Sequence, residues 1–231
     1  MKKYKKLIIL LFDKINNYLN PHQRPKMSKE KEGIIFRVIS IGDSGVGKTA
    51  INKRYVYNTF STDSLSTIGL NFSFKDVILK NGTKVQLKLI DTAGQEKYKG
   101  MTKSYYKNAE GVLFVFAFND KKSFENIGKW MKTFKDNNSK EGIPSYLIGN
   151  KCDLTTGVEV TKEMIDEFIK KNNIEKYMPT SASANTNIDI VFQDMAEIMY
   201  EDYKKSEGVV QGAHKLYKYK KKSKGCCLAD P

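Results

Sequence analysis

The residues whose types and spacing can do chemistry begin with Gly42-Asp43-Ser44-Gly45-Val46-Gly47-Lys48-Thr49, which fit G-x-x-x-x-G-K-[ST]. Backbone N–H groups must close around phosphate oxygens in such a loop, and a Cβ at the glycines would obstruct them. A helix starting at Lys48 adds unsatisfied donors and a favourable dipole. Ser44, Gly45, Val46 and Gly47 therefore read as a phosphate cradle. Lys48 reads as a point charge on the β and γ phosphates, and Thr49 as a Mg²⁺ ligand. Further on, Asn150-Lys151-Cys152-Asp153 follows an apolar run. The Asp153 carboxylate can accept both N1–H and the 2-amino group of guanine, a pair adenine does not offer. Asn150 can brace the loop, and the Lys151 stem can cover the base face. Ser181 and Ala182 can present backbone N–H groups to the guanine oxygen. In Asp91-Thr92-Ala93-Gly94-Gln95-Glu96, Asp91 can hold the Mg²⁺ shell through water. Gly94 lets its N–H approach a γ phosphate, and Gln95 can orient the attacking water. Thr67 is a candidate second Mg²⁺ ligand. These residues predict a GTP/GDP site with Mg²⁺ as cofactor.

Positioning them requires strands that end at one edge. Ile34–Ile41 is rich in β-branched residues and runs into the glycine loop, so it reads as a buried strand, and Lys48–Tyr57 as the helix after it. Residues 72–79 and 84–90 alternate around Asn81-Gly82, a hairpin signal. Further strands are expected at 111–118, 145–149 and 177–181. Helices are expected at 123–135 (with Ser123 as N-cap), 161–171 and 187–203. Strands alternating with helices predict an α/β fold with a mostly parallel sheet.

The chain has 231 residues, 40 Lys plus Arg against 26 Asp plus Glu, and a net charge of +14. The excess is unevenly placed: residues 1–32 carry +6, 204–231 carry +6, and the stretch between only +2. Three arginines (Arg24, Arg37, Arg54) leave a lysine-dominated field, poor in the residue suited to reading base edges. With a near-neutral body, a nucleic-acid-binding role is not expected. No apolar run approaches the roughly 20 residues a spanning helix needs. The expected organisation is a basic N-terminal extension (1–32), a nucleotide-binding domain (33–203) and a flexible basic tail (204–231) carrying Cys226 and Cys227. An ATPase or P-loop kinase is disfavoured by Asn150–Asp153. A nucleotide-locked module that cycles poorly is the alternative, disfavoured by Gln95 and Thr67.

On these motifs the chain resembles the Rab family of Ras-superfamily small GTPases. Thr67-Ile68-Gly69-Leu70-Asn71-Phe72 is similar to the Rab switch I segment, and Asp91 to Glu96 to switch II. The residues from Gln95 to Ala109 resemble the Rab-specific segment, and Ser123-Phe124-Glu125-Asn126-Ile127 with Trp130 also fits. The resemblance implies a P-loop G domain with a six-stranded, mostly parallel sheet, one antiparallel edge strand and flanking helices. It implies Phe60 stacked on guanine, slow GTP hydrolysis stimulated by an activating protein, and a switch read by effectors in vesicle trafficking. It also implies an exchange factor, a dissociation inhibitor and a monomer cycling between cytosol and the cytoplasmic face of membranes. Cys226-Cys227, set after a lysine cluster, resembles a double-prenylation signal, which implies lipidation and prenylation machinery as partners. Ile90, Ala117 and Ser183 depart from the family's usual Trp, Asp and Lys.

Overall fold

A computed structural model describes residues 33–61, 70–92 and 99–223, with 99–103 and 207–223 described for the backbone alone. The 1–32 extension, Thr67, Gly94, Gln95, Cys226 and Cys227 lie outside the described residues. Six strands make one sheet: β1 (Ile34–Ile41), β2 (Leu70–Ile78), β3 (Lys84–Thr92), β4 (Gly111–Ala117), β5 (Ser145–Asn150) and β6 (Tyr177–Pro179). Their spatial order is β2-β3-β1-β4-β5-β6, all parallel except the β2–β3 pair at one edge. The hairpin turn comes from Asn81, whose side chain accepts from the Thr83 N–H at 2.9 Å, and from Gly82, at φ 80°.

β4 is buried along its whole length, as its unbroken apolar sequence requires of a strand covered on both faces. On one face α1 (Lys48–Tyr57) and α6 (Ile188–Ser223) pack on Val38, Leu87, Leu113, Val115 and Ile148. Phe192 of α6 is fully buried there and stacks on Tyr55 of α1 with ring centroids 4.1 Å apart. On the other face α2 (Lys99–Asn108), α3 (Lys121–Glu125), α4 (Ile127–Asn137) and α5 (Lys162–Asn172) cover Ile39, Ile41, Phe114, Phe116 and Leu147.

Four expectations need correction. The helix expected at 123–135 is two helices meeting at Asn126, and its N-cap is Asp120, whose carboxylate accepts from the Ser123 N–H at 2.9 Å. The buried Ser123 hydroxyl is committed elsewhere: it accepts from the Ala117 N–H and donates to the Asp120 carbonyl. α2 is not among the expected elements. β6 stops at Pro179, short of the expected 181, and the chain then closes through a bridge between Ser181 and Thr186. The helix expected to end at Tyr203 has a helical backbone through Ser223. Once 188–203 is docked, each further residue adds a hydrogen bond without a new nucleation cost. The i,i+3 ion pairs Glu201–Lys204 (2.7 Å) and Asp202–Lys205 (3.0 Å) lie across the boundary.

Truncating Phe192 to Ala is expected to lower the unfolding free energy by about 3–5 kcal/mol, because the side chain is fully buried between α6 and α1. Urea denaturation followed by circular dichroism checks this.

Candidate functional site

β1 and β4 run side by side, and the loop after β1 passes so close to β4 that a Cβ on Gly42 would meet the Val115 carbonyl oxygen at 2.1 Å. At the loop's far end Gly47 sits at φ 98° as the N-cap of α1, and a Cβ there would meet the Asn150 amide nitrogen at 2.3 Å. The loop is thus pressed against β4 at one end and against the last residue of β5 at the other. Between them Ser44 and Gly45 are exposed, while Val46 is buried. No side-chain hydrogen bond caps the α1 N-terminus at Gly47 among the described residues.

Lys48 is 5% exposed, and its Nζ donates to the carbonyls of Gly42 (2.9 Å) and Asp43 (2.6 Å). Burial lowers its pKa to about 8, against the opposing pull of Asp91 and Asp43. The Thr49 hydroxyl donates to Asp91 Oδ2 at 2.6 Å. Asp91, 4% exposed, has its pKa raised, because burial outweighs the Thr49 hydrogen bond and the charges of Lys48 and Lys53. Its other oxygen, Oδ1, is buried with no hydrogen-bond partner among the described residues. A hydroxyl beside a carboxylate with an unsatisfied oxygen is a donor set suited to a hard divalent cation, and Mg²⁺ fits it.

Asn150 joins the two halves of the site. It is 1% exposed, and its Nδ2 donates to the Val46 carbonyl at 2.8 Å. Its Oδ1 accepts from the Thr180 hydroxyl and the Ala182 N–H, both at 3.3 Å. Asn150 thus links the 42–49 loop to the turn after β6 through hydrogen bonds. Lys151 follows at φ 66°, a left-handed conformation that turns the chain sharply, and Asp153 is exposed beyond it. Ser181 and Ala182 are buried in the neighbouring loop. Phe60 is 40% exposed, with the Arg54 guanidinium 5.9 Å from its ring centroid.

The structure also places residues to which sequence reasoning gave no role. Arg54 donates to the Ala182 carbonyl at 2.8 Å and the Ser183 carbonyl at 3.1 Å, so the helix after the phosphate loop clamps the Ser181–Ser183 turn. The Asp43 carboxylate is held by Trp130 Nε1 at 2.6 Å and Asn126 Nδ2 at 2.7 Å. An acidic side chain inside a loop built for anions was the available signal. Ile90, pairing in register with Phe72, is 2% exposed, and Phe72 meets Tyr105 with centroids 5.4 Å apart.

Residues 37–201 match the model of the Ras family. The chain is 41% identical to the Ras-related protein Rab-13 of Bos taurus over 162 residues, 70% of this chain and 78% of that protein. It is 40% identical to the Ras-related protein Rab-10 of Diplobatis ommata over 171 residues, 74% and 84% of the two chains. Against the Ras-related protein SEC4 of Candida albicans it is 34% identical over 181 residues, 78% and 85%.

The buried Asp91 carboxylate has a stability consequence. Its folded-state pKa lies above the unfolded value, so the stability it contributes is present at low pH and lost as pH rises through the folded pKa. At neutral pH, in EDTA, Asp91→Asn is expected to raise the melting temperature by about 2–4 °C. The same variant is expected to weaken Mg²⁺-dependent nucleotide retention roughly 10–100-fold. Thermal unfolding with and without Mg²⁺ checks both signs.

Proposed function

The chain belongs to the Rab family of Ras-superfamily small GTPases, and from that premise we propose that it binds GTP and GDP with Mg²⁺ at the loop of residues 42–49 and works as a membrane-anchored switch in vesicle traffic. The observation that carries the reading is the cluster at the start of α1: buried Lys48 and buried Asp91, the partly buried Thr49 hydroxyl donating to Asp91 Oδ2, and Asp91 Oδ1 without a hydrogen-bond partner among the described residues. In this reading Ser44, Gly45, Val46, Gly47 and Lys48 take the phosphates. Thr49 and Asp91, the latter through water, hold Mg²⁺ with Thr67. Asp153 reads guanine, Ser181 and Ala182 present N–H groups to its oxygen, and Lys151 and Phe60 flank the base. Asn150 acts through the loop rather than on the base, supported by its bond to Val46.

Hydrolysis needs a water attacking the γ phosphorus while the bond to the bridging β–γ oxygen breaks, giving GDP and phosphate. Gln95 orients that water and the Gly94 N–H approaches the γ phosphate. Two of the three arginines are occupied elsewhere: Arg54 on the Ser181–Ser183 turn, and Arg37 in an ion pair with Glu110 at 3.3 Å. A cis arginine finger is therefore not expected from them, which supports slow intrinsic turnover and a finger supplied in trans, worth up to about 10⁵-fold. Loss of the γ phosphate releases Thr67 and Gly94, the order–disorder transition that effectors read. The Phe72–Tyr105 pair over buried Ile90, with Lys88 Nζ 4.6 Å from the Phe72 centroid, supports an effector face beside the switches. Lipid on Cys226 and Cys227 supplies the two chains that stable anchoring needs. No described helix is long and apolar enough to cross a membrane. An exchange factor, an activating protein, a dissociation inhibitor and prenylation machinery complete the cycle.

Competition binding is expected to favour GTP over ATP by about 10⁴-fold, with most of that preference lost in Asp153→Ala. Single-turnover assays are expected to show slow hydrolysis, reduced about tenfold or more in Gln95→Leu with nucleotide binding kept. Equal affinity for ATP would refute the guanine assignment; binding without any hydrolysis would favour a locked module.

A further inference from the structure

Asp43 puts a carboxylate inside a loop whose other features gather donors for anions. Aspartate has a strong local alternative: its side chain readily accepts from the backbone N–H two residues on, forming an Asx-turn. Here that N–H belongs to Gly45, at the exposed crest of the phosphate loop. A carboxylate closing on it would take a cradle donor and place a negative charge where the phosphates are to sit.

The structure sends the carboxylate the other way. Oδ1 accepts from Trp130 Nε1 at 2.6 Å and Oδ2 from Asn126 Nδ2 at 2.7 Å. Both are short bonds to carboxylate oxygens. The donors are firmly mounted. Asn126 sits between α3 and α4, and its Oδ1 accepts from Lys129 Nζ at 3.2 Å. Trp130 is half-buried on α4, which is fixed to α2 by the Phe134–Tyr106 ring contact (5.7 Å) and by Asn138 Nδ2 donating to the Tyr106 carbonyl at 2.6 Å. Meanwhile the Asp43 carbonyl accepts from Lys48 Nζ at 2.6 Å, so backbone and side chain of one residue are held by different elements.

We infer that Trp130 and Asn126 are positioning residues for nucleotide retention: they hold the Asp43 carboxylate off the Gly45 N–H and away from the phosphate side of the loop. The inference rests on the reading that this loop binds a guanine nucleotide. It makes the indole N–H of Trp130, rather than its ring, the functional group, and it makes Asp43 harmful once that N–H is removed.

The test is the release rate of a fluorescent GDP analogue at saturating Mg²⁺, with the melting temperature recorded alongside. Trp130→Phe keeps the packing and loses the donor; Asn126→Ala loses the other. Each is expected to release nucleotide several-fold faster, up to about tenfold, the worth of one charge-assisted hydrogen bond. Adding Asp43→Ala to either variant is expected to return release to within about twofold of the unmodified chain. Unchanged release in both single variants overturns the inference. So does faster release that Asp43→Ala fails to relieve, which would mark Trp130 as a packing residue only. Should Trp130→Phe not fold, the Asn126→Ala pair carries the same comparison. Failure of the unmodified chain to retain any guanine nucleotide refutes the nucleotide reading itself, and the inference with it.

Discussion

Asn150 donates one hydrogen bond to the Val46 carbonyl, and the site's geometry hangs on that contact. It joins the end of β5 to the phosphate loop at the end of β1, two strands that do not pair with each other. Its carbonyl oxygen gathers the Thr180 hydroxyl and the Ala182 N–H, so the turn after β6 is tied to the same point. Gly47 must lack a side chain because the Asn150 amide occupies the space a Cβ would need. One buried amide thus fixes the spacing between the part of the site suited to phosphates and the part suited to a base. Arg54 repeats the connection from outside, linking α1 to the same turn.

Within this frame two buried charges are kept at a cost. Desolvation disfavours both the Lys48 ammonium and the Asp91 carboxylate, and their mutual attraction recovers part of that cost. A fold selected for stability alone would place apolar residues there. Groups held in this way meet a ligand with little rearrangement, so the energy is stored against binding. The surrounding core makes this tolerable, since β4 is buried along its whole length and β1 from Val38 to Ile41.

How far the sequence discloses this depends on whether a residue's partner is local. Ile34–Ile41 and Lys48–Tyr57 match their expected bounds, because a β-branched run ending in a glycine loop leaves few choices. Thr49 and Asp91, 42 positions apart, are legible as a pair because the chemistry demands both. Ser123 misleads as an N-cap because two capping-type residues stand three apart, and a tertiary bond to Ala117 claims one of them. The Asp43–Trp130 and Asp43–Asn126 contacts span 87 and 83 positions, and no local pattern announces them. Arg54 is the same case at 128 positions from its acceptor. The apolar periodicity of the sequence ends near Tyr203, whereas the backbone helix runs on to Ser223.

That last point changes what kind of connector α6 makes. The stretch beyond Tyr203 is some 30 Å long at 1.5 Å per residue. A coil of the same number of residues would act as a string, letting the domain tumble freely about its tether. A helix continuous with the core instead rises by a fixed step along one axis, so the backbone at Ser223 stands at a set distance from Tyr203 rather than at a coil's variable one.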